Sequence, residues 1–220
     1  MQQCILPLSI TNPYHPDDFI LSNSNKDAYN LINLWSLNWG HKPYPGSVLL
    51  YGPKSSGKTY LTKIWQELSG AYLLPNNQLV QGELVNQHKA FIIEDIENWP
   101  ENNILSYFNL INESSKHLLM TTANFSNKFK LGDIQSRINS IFRLEVGAPD
   151  DELIKALIFK LFSINSLKIS DQVLNFLLLN MPRQFNEIIN LIEKINQFSL
   201  IYKRRVTVSL IKEVINSRDS

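Results

Sequence analysis

The segment Gly52-Pro53-Lys54-Ser55-Ser56-Gly57-Lys58-Thr59 sets a glycine, four residues, a second glycine, a lysine and a hydroxyl side chain in unbroken order. Those residue types at that spacing suit one task, holding the phosphates of a nucleotide. Glycines let the chain wrap closely enough for backbone N–H groups to point at phosphate oxygens. Lys58 is placed to reach the β- and γ-phosphates and the Thr59 hydroxyl to ligate magnesium. Gly52, Pro53, Ser55, Ser56, Gly57 and Tyr60 complete the candidate cradle for ADP or ATP. The plain alternative is a Gly/Ser turn between two elements. A second candidate is the acid pair closing Phe91-Ile92-Ile93-Glu94-Asp95. At such sites an acid at the end of a neighbouring strand holds the metal, and the next acid polarises the attacking water. Glu94 takes the first role and Asp95 the second; the plain alternative is an acid that caps a helix.

These residues need a strand–loop–helix frame, and the chain supplies one. Ser47–Tyr51 is a short apolar run between turn signals, the pattern of a buried parallel strand. Ala90–Ile93 and His117–Met120, the latter leading into Thr121-Thr122, are two more. The spacing predicts a helix from about Asn25 to Trp39 and others over Thr59–Ser69 and Asn102–Ser114. Strands alternating with helices imply a parallel sheet with right-handed crossovers. After about Pro149 the pattern changes to four successive helices, opening near Asp150, Ser170, Pro182 and Thr207. The expected organisation is an arm over 1–18, an α/β nucleotide-binding domain over 19–148, and a helical lid over 149–220.

The 220 residues are 44% hydrophobic and 19% charged, with 21 Lys+Arg against 20 Asp+Glu. This is too apolar for intrinsic disorder and too balanced for a protein that coats nucleic acid by bulk charge. One cysteine, Cys4, rules out an internal disulfide and a multi-cysteine zinc site. The four histidines (His15, His41, His88 and His117) keep no metal-ligand spacing and read as surface residues. Trp35, Trp39, Trp65 and Trp99 read as core or interface residues. No apolar run approaches a bilayer span, and the start of the chain lacks a basic n-region, so a cytoplasmic location is expected.

On these motifs the chain resembles the AAA+ family of P-loop NTPases, and within it the DnaA/Hda branch. Leu50 through Thr59 resembles the Walker A segment of that branch and Ile92–Glu97 its Walker B segment. Asp18–Lys26 is similar to the segment placed over the adenine, which implies contact through Ile20. Leu118–Asn124 stands at the sensor 1 position, implying roles for Thr122 and Asn124. Ser136-Arg137 resembles the pair that carries an arginine finger, and Pro182–Glu187 the sensor 2 segment, with Arg183 as the sensor arginine. Pro182 fits a first helical turn that Asn180 could cap. Two departures stand out. The family usually has Asp at position 94 and Glu at 95; the reversal is expected to shift metal and water by about a C–C bond length. The Trp-Gly that often follows the Ser-Arg pair is absent.

Gln3-Cys4-Ile5-Leu6-Pro7-Leu8 is similar to the motif by which the shorter members of this branch bind the sliding clamp, with Gln3, Leu6 and Leu8 as contacts. The lid helices are expected to run to the end of the chain, which would leave no room for the DNA-reading domain of the longer members. The resemblance therefore implies an Hda-like regulator that binds the DNA polymerase sliding clamp, stimulates ATP hydrolysis by a DnaA-type initiator and can form a homo-oligomer. Sequence-specific DNA binding of its own is not expected. A helicase-loader-type or autonomous ATPase, and a nucleotide-locked replication scaffold, are the alternatives.

Overall fold

The computed structural model describes residues 16–37, 39–76, 82–124 and 129–216. The arm motif with Gln3, Leu6 and Leu8 lies outside the described residues. The α/β part runs α1 (Lys26–Asn33), β1 (Ser47–Tyr51), α2 (Lys58–Ser69), β2 (Tyr72–Leu73), α3 (Gly82–Gln87), β3 (Ala90–Ile93), α4 (Glu101–Glu113), β4 (His117–Thr122), α5 (Gly132–Ser140) and β5 (Phe142–Glu145). Then follow α6 (Asp151–Ile164), α7 (Asp171–Asn180), α8 (Phe185–Tyr202) and α9 (Val208–Asn216).

The described strands form a sheet of order β2-β3-β4-β1-β5, and all its pairings are parallel. Side chains alternate across the sheet with period two. Leu49, Phe91, Ile93, Leu118 and Met120 pack with α4 and α5, while Val48, Leu50, Ala90, Ile92 and Leu119 pack with α1 and α2. A strand covered on both faces must be apolar throughout, which is why these runs stand out in the sequence. β5 is different: it lies at the edge, and Arg143 and Glu145 alternate outward from Phe142 and Leu144.

The helical part has its own core, in which Ile154, Ile158, Phe162, Leu177, Ile188, Leu191, Ile195 and Ile211 meet. Asp150 caps α6, its carboxylate accepting from the Leu153 N–H at 2.8 Å. Ser170 does the same for α7, accepting from the Val173 N–H.

Three expectations are corrected. The first helix ends at Asn33 rather than Trp39; the chain turns there, and Trp39 reaches the core from the following loop, its indole N–H donating to Gly46 O at 2.8 Å. Asn180 does not cap the helix after it. It is the last residue of α7, its amide donates to Phe176 O, and α8 begins at Phe185, beyond Pro182. His117 is not a surface residue: it opens β4, is half-buried, and meets the Trp35 ring edge-on at 5.2 Å. Tyr72–Leu73, Gly82–Gln87, Gly132–Ser140 and Phe142–Glu145 are elements that periodicity alone did not mark.

Candidate functional site

The site lies at the carboxyl ends of β1, β3 and β4, where the chain leaves β1 to cross over its neighbours. In open parallel sheets ligands bind at such a crossing. Gly52 follows β1 with φ of 155°, and a Cβ there would stand 2.0 Å from the Val146 carbonyl oxygen. No other residue fits. Ser55 and Gly57 also have positive φ, 59° and 102°, so the loop curls its amides inward as an anion nest does. Gly57 then sits at the N-cap of α2, adding the positive end of that helix.

Lys58 is 6% exposed and donates to Gly52 O at 2.7 Å and Pro53 O at 2.9 Å. Burial holds its ammonium below the ordinary lysine range, an effect opposed by the nearby Asp95 and Glu97 carboxylates. A bound phosphate would relieve that burial cost by bringing negative charge to the ammonium. Ser56 Oγ is buried with no hydrogen-bond partner among the described residues. A buried hydroxyl without a partner is costly, and a phosphate oxygen is a fitting acceptor for it. Thr59, in the first turn of α2, is exposed, and Tyr60 beside it is half-buried.

Glu94 and Asp95 follow β3 directly. Glu94 Oε1 accepts from Thr62 Oγ1 at 2.5 Å, and its carbonyl accepts from the Trp99 indole N–H at 2.8 Å. Asp95 takes a left-handed backbone, with φ of 49°, and its N–H donates to Thr121 Oγ1 at 2.9 Å. Its carboxylate is exposed. At the end of β4, the Asn124 N–H donates to Thr122 Oγ1 at 3.3 Å, and that hydroxyl lies 3.2 Å from the Asn124 carbonyl oxygen, a tight turn where the resemblance expects sensor 1. The phosphate loop, both acids, Thr122 and Asn124 thus share one edge of the sheet.

The fit to magnesium rests on donor chemistry. The Thr59 hydroxyl and the Glu94 carboxylate are hard oxygen donors of the kind magnesium takes. No group of three or more His, Cys, Asp or Glu residues that could hold a metal exists among the described residues.

The remaining candidates lie around this edge. Ile20 is half-buried; its carbonyl accepts from the Asn25 side-chain amide at 3.0 Å. Its neighbour Phe19 stacks on Tyr29 at 5.1 Å and tilts onto Tyr60 at 5.2 Å, which brings this segment to the start of α2. Phe185, the first residue of α8, would be 3.8 Å from a Cβ at Gly57, so the lid abuts the loop. Arg183, two residues earlier, is exposed and pairs with Asp151 of α6. Arg137 is elsewhere. It lies in the last turn of α5, which runs back from the carboxyl edge of the sheet, and it donates to Asp133 O of its own helix at 3.2 Å.

Sequence reasoning missed three participants. Thr62 holds Glu94 from 32 positions away, a distance no local pattern spans. Glu97 Oε1 accepts from the Ala123 N–H at 2.8 Å and ties the acid turn to the end of β4, while its Oε2 is buried with no partner among the described residues. Asn25 is 4% exposed and braces the Ile20 segment from both sides, also accepting from the Ser22 N–H at 3.0 Å.

Comparison with known proteins agrees with this architecture. Residues 150–215 match the family model described as Hda, lid domain. The chromosomal replication initiator protein DnaA of Campylobacter jejuni is 24% identical over 240 residues, covering 94% of this chain and 53% of its own length. The chain thus spans about half the length of the curated relatives it matches. Domain III of the Thermotoga maritima DnaA superposes with a TM-score of 0.72 at 16% identity, covering 94% of this chain and 97% of that one. The AMPPCP-bound DnaA of Aquifex aeolicus gives 0.65 at 18% identity, covering 84% and 66%.

Proposed function

Starting from a chain of the DnaA/Hda family of AAA+ proteins, we propose that it binds ADP or ATP with magnesium at the carboxyl edge of its sheet and acts in the cytoplasm to regulate replication initiation. The observation that carries the nucleotide reading is the cradle itself. It combines a glycine forced by the Val146 carbonyl, two positive-φ turns, a buried lysine and a buried serine hydroxyl without a partner among the described residues, all converging before one helix N-terminus. The match of 150–215 to the Hda lid supports a regulator of the Hda type.

The chain's own groups divide the work. Backbone amides of the loop and Lys58 bind the phosphates, Ile20 and Tyr60 border the base, and Thr59 with Glu94 hold the cation, which when bound neutralises phosphate charge. Asp95 orients water, Thr122 and Asn124 read the terminal phosphate, and Arg183 approaches from the lid. Arg137 acts on another molecule. α5 carries it back from its own phosphate loop, the placement expected of an arginine that completes a neighbour's site. Gln3, Leu6 and Leu8 supply contacts to the sliding clamp, and the initiator is the partner whose ATP is hydrolysed.

The test mixes DNA-loaded clamp, ATP-bound DnaA-type initiator and this protein, and follows ADP appearing on the initiator. We expect wild type to stimulate hydrolysis on the order of a thousandfold, and Arg137→Ala to lose most of that gain while still binding nucleotide and clamp. Deleting residues 1–8 should abolish clamp binding with nucleotide affinity unchanged. Full stimulation by Arg137→Ala removes the arginine-finger role, and no stimulation by wild type removes the regulator reading.

A further inference from the structure

Thr62 is 1% exposed and lies in α2 one turn beyond Thr59. Its companions on the buried stripe, Leu61, Ile64 and Trp65, are apolar. A buried mid-helix threonine brings a hydroxyl that needs a partner, which the equally β-branched valine would not bring. Its surroundings explain the hydroxyl. Thr62 Oγ1 is 2.5 Å from Glu94 Oε1 and 3.0 Å from Thr59 O. It has one proton to give, and the shorter contact has the length of a bond to a charged carboxylate. The proton therefore goes to Glu94.

We propose that Thr62 is a positioning residue for Glu94, and through it sets how strongly magnesium supports nucleotide binding. The inference rests on the nucleotide and magnesium reading above. A glutamate is one methylene longer than an aspartate and has more rotamers to lose when it is fixed. The Thr62 hydroxyl removes that freedom by anchoring Oε1 to α2, the same helix that carries Thr59. Oε2, which has no hydrogen-bond partner among the described residues, is left for the cation. Carboxylates that bind metals are generally held this way by an outer hydrogen bond, and losing it costs tenfold to a hundredfold in metal affinity. Threonine at 62 and glutamate at 94 thus form a matched pair: the longer acid reaches one turn further down the helix and meets a hydroxyl there.

The experiment measures ATP binding to the full chain by calorimetry, once in magnesium and once in EDTA, and takes the ratio of the two affinities. Thr62→Val should cut that ratio about tenfold and leave the EDTA affinity unchanged. Thr62→Ser, which keeps the hydroxyl, should retain the wild-type ratio. Glu94→Asp should lower the ratio on its own, and adding Thr62→Val to it should lower it no further, because the two residues act as one unit. If Thr62→Val fails to fold, judged by its melting curve, Thr62→Ala is read by the same ratio. An unchanged ratio in Thr62→Val overturns the proposal. Equal losses in magnesium and EDTA overturn it as well, since a packing defect weakens both. Wild type that binds ATP in neither buffer defeats the nucleotide reading itself, an outcome distinct from the other two.

Discussion

The two sides of the candidate site are built to different standards. On the sheet side Lys58 and Ser56 are buried, Gly52 has no room for a side chain, and Glu94 is anchored by a buried hydroxyl. On the lid side Arg183 and its partner Asp151 keep 55% and 73% of their side-chain surface in water. Exposed ion pairs contribute about 0–1 kcal/mol, so Arg183 can exchange Asp151 for a phosphate at little cost. Lys58 has no such freedom, because burial already penalises its charge. Under the proposed nucleotide reading, the difference predicts a division of labour: the sheet side would supply affinity and the lid side would respond to which nucleotide is there.

The sharpest way to break that contrast is to compare the two cations directly. Lys58→Ala should weaken ADP binding on the order of a hundredfold or more, the range seen when one member of a buried charge pair is removed. Equal affinities for mutant and wild type in calorimetry would end the phosphate-loop assignment. Gly52→Ala tests the rigidity of the same side. A Cβ at 2.0 Å from a backbone oxygen forces the β1 end and the Val146 strand exit apart, and the melting temperature should fall by roughly 5–10 °C. Arg183→Ala should be milder, lowering ATP affinity about fivefold, leaving ADP affinity alone and moving the melting temperature by no more than about 2 °C. A loss as large as that of Lys58→Ala would show the lid to be a principal source of affinity.

The smallest effect concerns pH and lies away from the site. Burial lowers the His117 pKa from its ordinary 6.5. Above that value the folded and unfolded chains are both neutral at this residue. As pH falls below it the unfolded chain takes up a proton that the folded chain resists, so stability is lost toward acid. His117→Phe should therefore flatten the decline in melting temperature between pH 7 and pH 5. An identical decline in both proteins would assign the acid sensitivity to other groups.

What the sequence made legible follows the same division. The phosphate loop could be read because each position admits few residue types: Gly52 is excluded from every other by the Val146 carbonyl, and Lys58 is the one loop cation aimed inward. β1, β3 and β4 could be read because burial on both faces leaves unbroken apolar runs. β2 and β5 could not. One is two residues long, and the other is an edge strand whose Arg143 and Glu145 interrupt the run. The first helix was read too long because Trp39 continues the helical spacing although a loop, not a helix, delivers it to the core. Long-range pairings such as Thr62 with Glu94 or Glu97 with Ala123 have no local signature, because only the folded sheet brings their elements together.

One connection outside the phosphate loop has a mechanical consequence. The Ser24 carbonyl accepts from the Gly147 N–H at 2.8 Å, just where the chain passes toward α6. Lys160 of α6 reaches back to Asp18, meeting both its carbonyl and its carboxylate at 2.8 and 2.7 Å. A body attached at one point can swivel about three axes, but one attached at two turns only about the line that joins them. While the Lys160–Asp18 contact is made, the lid is a door on two hinges rather than a weight on a string.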